Sequence, residues 1–222
     1  MRGRFGMIPA HHPDDELLHA FAAGAGDAGA SLLVATHLTY CRKCRNAVSV
    51  LDTLGGTLLS DMAPAALQDG ALESMLARLE NAPKLSLVHS IPAADSRAMP
   101  APLRAYAGAD LDRVRWRRLS PGLSYRMLMK RGRTRVYLTK SRPGSGNSLH
   151  THRGIELTLV LAGGFTDEMG SYTRGDLVTT TPEIHHTPIA DDDGDCITLA
   201  MTDAPLKFHH IGAGLLARVF GF

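Results

Sequence analysis

Apolar residues recur every three to four positions in the first eighty or so residues of this 222-residue chain, and at every second position in the last hundred or so. Two periods in succession demand helices first and strands second. Asp14 and Asp15 can cap a helix carrying Leu17, Leu18 and Phe21, with Gly24 as its stop signal. A second helical stretch is expected from about Ser31, and Val48, Leu51 and Leu58 continue an apolar stripe. Leu72, Met75, Leu76 and Leu79 follow the i, i+3, i+4, i+7 pattern of one helix face. That stripe is read first as intramolecular core and otherwise as a face for a partner.

From Asn81 to Gly108 the periodicity lapses, and Pro83, Pro92, Pro100 and Pro102 interrupt any helix or central strand. Beyond this stretch the two-residue period begins. In RVRWRRL, Val114 and Trp116 point one way while Arg113, Arg115 and Arg117 point the other. Further strands are expected at RVYL (135–138), IELTLVL (155–161), DLVTT (176–180) and CITLAM (196–201), with Gly, Pro and Asp turns between them. The expected class is therefore α+β in two domains. A small all-α domain spans 1–85, a linker 86–108, and an all-β barrel or sandwich 109–222.

Apolar residues make up 44% and charged residues 21%, which excludes a disordered, collagenous or coiled-coil chain. No run approaches the roughly 18 apolar residues of a membrane span, and MRGRFGMIPAHH lacks a signal peptide's apolar region, so a cytoplasmic protein is expected. The 24 basic and 22 acidic residues leave a net charge of +2, too small to argue for direct nucleic-acid or membrane binding. Nine Lys or Arg do fall between residues 113 and 135, but no interleaved aromatics or groove-binding helix accompany them. They read as a solvated barrel face. Three cysteines cannot form a closed disulfide framework and fit a reducing compartment.

The segment HLTYCRKC places His37, Cys41 and Cys44 at H-x3-C-x2-C spacing. On a helix, or across a break between His37 and Cys41, the three stay adjacent in space. Two thiolates and an imidazole suit tetrahedral zinc, which needs a fourth protein ligand to close a structural site; His11, His12 and His19 are the candidates. Other readings of Cys41 and Cys44 are a redox pair or small core residues. HHPDDELLHAFAAG followed by ATHLTYCRKC resembles the zinc-binding anti-sigma domain, a helical module that holds extracytoplasmic-function sigma factors inactive. The resemblance implies a structural zinc on His12, His37, Cys41 and Cys44, with His11 as the alternative to His12, and makes His19 a surface or partly buried residue.

The segment GSGNSLHTHRGIELTLVLAG (144–163) fits G-x5-H-x-H-x3-E-x6-G. His150, His152 and Glu156 share parity, so on extended backbone they project to one face, into the barrel. Such groups are costly to bury unless a metal or hydrogen bonds pair them. The pattern resembles the first motif of the cupin barrel, a double-stranded β-helix. In GDLVTTTPEIHHTPIA, His186 stands where the second cupin motif places its histidine. Pro182 sits one place late, Glu183 replaces a glycine, and Ala190 stands where asparagine is common, which leaves His185 as the alternative. The implied ligands of a second divalent metal are His150, His152, Glu156 and His186; zinc is the expectation, although the donor set also accommodates iron, manganese and nickel. Cys196, on a strand, reads as a buried core thiol, with a thiol sensor as the rival.

A zinc anti-sigma domain, a Pro-containing linker and a C-terminal cupin together resemble the ChrR-type anti-sigma factors over nearly the whole chain, with RVRWRRL, RGIELTLVL, HTPIA and TDAPLKF adding to the likeness. The resemblance implies a cytoplasmic transcriptional inhibitor and no enzyme. Its helical domain sequesters an extracytoplasmic-function sigma factor, and its cupin makes the complex responsive to oxidative signals such as singlet oxygen or organic peroxides. The alternative is a dioxygenase-like cupin metalloenzyme with an attached regulatory zinc domain. A storage or ligand-binding cupin is a third reading.

Overall fold

The computed structural model describes residues 8–82, 98–108, 110–146, 150–204 and 206–208, the side chains of 150–152 and 206–208 excepted. The helices are α1 (Asp15–Ala22), α2 (Ala28–His37), α3 (Arg42–Ser60), α4 (Ala71–Glu80) and a short α5 (Arg104–Ala107). Asp14 caps α1 by accepting the Leu17 N–H at 2.8 Å. Asp27 does more. Its Oδ1 accepts the N–H groups of Gly29 and Ala30 at the start of α2, and its Oδ2 accepts the Thr134 hydroxyl at 2.9 Å, tying that helix start to a strand.

The strands are β1 (Arg117–Ser120), β2 (Leu123–Arg131), β3 (Thr134–Ser141), β4 (His150–His152), β5 (Glu156–Ala162), β6 (Gly164–Asp167), β7 (Gly170–Thr173), β8 (Leu177–Thr180), β9 (Ile189–Ala190), β10 (Cys196–Thr202) and β11 (Leu206–Phe208). They pair antiparallel in a six-stranded sheet ordered β1-β2-β3-β10-β5-β8, a three-stranded sheet ordered β7-β6-β9, and the pair β11-β4. The RVRWRRL strand starts later than its alternation suggests. Leu111–Arg113 form a 3-10 turn, Val114 is buried beneath it, and only Arg117 onward pairs. β2 escapes the periodicity argument because its apolar residues Met127, Leu128 and Met129 run consecutively across a register shift.

The large sheet has apolar cover on both faces, sorted by parity. Leu157, Leu159 and Leu161 of β5, Leu199 and Met201 of β10, and Val136 and Leu138 of β3 join a cluster with Ala30, Leu32 and Leu33 of α2. Their neighbours Glu156, Thr158, Cys196, Thr198, Tyr137 and Thr139 face a cavity on the other side. The helical region thus roofs the outer face of the sheet. Gly29 is what lets α2 come so close: a Cβ there would lie 2.8 Å from methyl groups of both Thr134 and Val136.

Residues 86–97 of the expected linker lie outside the described residues. The rest of it, 98–108, is packed. Pro100 and Pro102 start a 3-10 turn at Ala101–Leu103 that runs into α5, with Met99 and Leu103 fully buried in the cluster with α2. Prolines that read as breakers serve here as the first residues of a turn.

The helical region has a second, smaller core of Leu18, Val34, Cys41, Cys44 and Val48. Beyond Val48 it gives out: Val50, Leu54, Leu58 and Leu59 of α3 are exposed, and α4 buries none of its residues. Among the described residues, no helix is long and apolar enough to cross a membrane.

Candidate metal centres

The H-x3-C-x2-C residues straddle a corner between two helices. His37 is the last residue of α2, a turn follows, and Cys41 is the N-cap of α3, its Sγ accepting the Cys44 N–H at 3.4 Å. The corner brings His37, Cys41 and Cys44 together, and the segment before α1 adds His12. The ligand atoms of these four all lie within 4.8 Å of one another. His37 Nε2 is 3.3 Å from Cys44 Sγ, and His12 Nδ1 is 3.4 Å from Cys41 Sγ and 3.6 Å from Cys44 Sγ. A tetrahedral ion with metal–nitrogen bonds near 2.0 Å and metal–sulfur bonds near 2.3 Å has N···S edges of about 3.5 Å. The cluster could therefore hold a metal ion.

Its electrostatics point the same way. Burial lowers the pKa of His37 and of His12, with Lys43 adding to the effect at His12, so both imidazoles are neutral donors at neutral pH. Burial and the Cys41 sulfur beside it push the Cys44 thiol up to about 12. An ion binding here must displace that proton. His37 Nδ1 donates to the Gly175 carbonyl at 2.8 Å, which fixes the tautomer and leaves Nε2 for the metal side. His11 is turned elsewhere, its ring 4.7 Å from that of Tyr172, and His19 is exposed.

In the barrel, Glu156 and His186 line one cavity of about 70 Å³, together with Tyr137, Thr180 and Cys196. Glu156 is buried and accepts the Tyr137 hydroxyl at 3.1 Å; burial first, and the carboxylate beside it second, raise the tyrosine pKa well above its ordinary value. His186 is buried and donates from Nδ1 to Asp167 Oδ2 at 3.0 Å, the carboxylate being fully buried, while its neighbour His185 is exposed. The Asp167–His186 pair has the carboxylate–histidine pattern of metal sites. The backbone of His150–His152 pairs with Leu206–Phe208, but the side chains of His150 and His152 lie outside the described residues. Cys196 is buried, its thiol pushed up to about 12 by burial and by Asp191 and Asp193.

Four residues at these centres went unnoticed in the sequence: Tyr137, Asp167, Gly175 as a carbonyl acceptor, and Asp176. Tyr137 and Asp167 bond the expected barrel donors Glu156 and His186, and Gly175 and Asp176 hold the N-terminal cluster. A lone aspartate or tyrosine carries no spacing signal, since its partner lies 19 or more positions away.

Comparison with known proteins completes the picture. Residues 105–205 match the family described as the ChrR cupin-like domain. The chain is 44% identical over 205 residues to the anti-sigma-E factor ChrR of Cereibacter sphaeroides, covering 91% of this chain and 94% of that protein. The crystal structure of Rhodobacter sphaeroides SigE in complex with the anti-sigma ChrR contains a chain that superposes with a TM-score of 0.74 at 40% identity, covering 86% of this chain and 98% of its own.

Proposed function

The chain belongs to the ChrR family of anti-sigma factors, and from that premise we propose that it sequesters an extracytoplasmic-function sigma factor on the exposed apolar faces of α3 and α4. The observation that carries this reading is that Leu72, Met75, Leu76 and Leu79 are each at least half exposed on one helix face, with Val50, Leu54 and Leu58 equally uncovered on α3. Apolar stripes of this kind mark binding faces, and an amphipathic helix laid into an apolar groove is a recurring mode of recognition. A relative crystallised with SigE supplies the class of partner. Family membership places the chain with regulators and not with the cupin metalloenzymes of the alternative reading.

Zinc is the ion we assign to His12, His37, Cys41 and Cys44. Two thiolates and two neutral imidazoles fill all four positions of a tetrahedron, which makes the centre structural and leaves no open position for catalysis. We assign a second divalent metal, zinc by expectation, to His150, His152, Glu156 and His186, supported by the shared cavity of Glu156 and His186 and by the Asp167 bond that orients the histidine. This centre would serve as the sensor for an oxidative signal of the singlet-oxygen or organic-peroxide type. In the same reading the protein acts in the cytoplasm, where its partner works. Residues 1–85 form the inhibitory part, 109–222 the sensing part and 86–108 the connection, whose final eleven residues travel with the barrel core.

The test is co-expression with an extracytoplasmic-function sigma factor of the same organism. Met75→Asp with Leu79→Asp should abolish co-purification and repression, while Glu156→Ala should repress normally and respond weakly to the oxidant. A double variant on α4 that still holds the sigma factor at wild-type strength would refute the assigned surface.

A further inference from the structure

One turn of the barrel grips every segment that carries a ligand of the N-terminal metal centre. It is the turn from Thr173 to Leu177, between β7 and β8. The Gly175 carbonyl accepts from His37 Nδ1 at 2.8 Å. Asp176 Oδ1 accepts the N–H groups of Ala10 and His11 at 2.6 and 2.9 Å, and Leu177 donates its own N–H to the His11 carbonyl at 3.2 Å, so the residues just before His12 are bound on both sides. Tyr40, next to Cys41, lies against the same turn with the Arg174 guanidinium 5.1 Å from its ring centre. A Cβ at Gly175, where φ is +95°, would lie 2.8 Å from Pro9 and 3.1 Å from Tyr40. Only glycine fits there.

The turn is itself fixed from within. Asp176 Oδ2 accepts the N–H and hydroxyl of Thr173 at 2.7 and 3.2 Å, and the Asp176 side chain is 2% exposed. On its far side the chain continues as β8, where Val178 and Thr180 line the barrel cavity and Thr180 pairs with Glu156. A buried carboxylate with four donors, set between two protein regions, holds its surroundings rigidly.

We propose that Gly175 and Asp176 are positioning residues of the N-terminal metal centre, so that the barrel sets how tightly that centre holds its ion. The proposal rests on the metal reading above. Outer-shell partners of this kind govern affinity because they pre-orient ligands that otherwise lose freedom on binding. The barrel is then part of the metal site of a domain it does not belong to.

The test is zinc competition against a chromogenic chelator, using the full-length chain. Asp176→Asn places an amide N–H against the Thr173 N–H and should weaken zinc binding by about 10–100-fold, with a shift in the visible bands of the cobalt-substituted protein. Thr173→Val removes only the hydroxyl bond and should weaken it by a smaller factor. Lys140→Ala, which breaks the Lys140–Asp195 ion pair of 2.8 Å elsewhere in the barrel, should leave zinc affinity and the cobalt spectrum unchanged. Folded Asp176→Asn and Thr173→Val proteins that both hold zinc at wild-type strength would overturn the proposal, as would an equal loss in Lys140→Ala, which would trace the effect to the barrel at large. A wild-type chain that takes up no zinc would sink the metal reading itself and leave the co-purification test standing.

Discussion

Helix α2 buries seven of its ten residues, whereas α4, also ten residues long, buries none. The two differ in pattern as well as in fate. AGASLLVATH is small or apolar nearly all round and is held between the β-sheet, the packed 98–108 segment and α1. ALESMLARLE carries one apolar stripe, with Glu73, Arg78 and Glu80 on the remainder. A helix apolar on all sides must be enclosed by its own chain, while a striped helix needs cover on one side only and can take it from another molecule. The contrast separates what this protein uses to fold from the face that the proposed function assigns to a partner.

In the proposed metal reading, removing the ion at the end of α2 is the harshest way to break the contrast. Cys44→Ser should lose zinc, and with it a binding free energy on the order of 10 kcal/mol, much of which is folding energy for α1 to α3. Metal analysis and far-ultraviolet circular dichroism read the result; full zinc content with unchanged helicity would contradict the assignment. Next in size is a matched pair of truncations. Leu33→Ala, at a fully buried site in α2, should cost about 2–5 kcal/mol in denaturant unfolding. Leu76→Ala in α4 should change the stability of the isolated chain by less than about 0.5 kcal/mol. Equal costs would mean that α4 is covered by its own chain in solution.

A gentler comparison uses glycines. Gly29→Ala on α2 forces a methyl group against Thr134 and Val136 and should destabilise by about 1–3 kcal/mol. Gly55→Ala, in the exposed half of α3 with nothing within 4 Å, should stabilise by about 0.5–1 kcal/mol. Thermal midpoints of opposite sign relative to wild type are the expected result. The smallest effect is acid sensitivity. Burial raises the Asp176 pKa, but the N–H groups of Thr173, His11 and Ala10 outweigh it and hold the carboxyl below its ordinary 3.8. A depressed folded pKa gives stability that is complete above the unfolded value and is lost as pH falls through the folded one. The stability gap between wild type and Asp176→Asn should therefore be flat from neutral pH down to about 5 and narrow below about 3.8. A gap that widened in acid would reverse the sign argument.

The sequence made the candidate donors legible and left their supports hidden. H-x3-C-x2-C works as a signal because short-range spacing alone keeps three donors together, and the parity of Glu156 predicts its face because strands alternate. The stripe from Leu72 to Leu79 was equally plain, but periodicity tells that a face needs cover and never whose surface supplies it. Pro100 and Pro102 misled in the other direction, since a proline that ends one element can begin the next. Asp167 and Asp176 were invisible for a different reason: their partners are set by the tertiary fold, in one case 166 positions away.

That last separation has a consequence for how the protein is made. His37, Cys41 and Cys44 leave the ribosome early, and the carbonyl that orients His37 belongs to a residue 138 positions later. At the usual 5–20 residues per second, the early helices wait on the order of ten seconds for the turn that braces the proposed metal centre. A half-made chain carries the four donor side chains without their frame, so in the proposed metal reading the order of synthesis delays a fully seated ion until nearly the whole polypeptide has emerged.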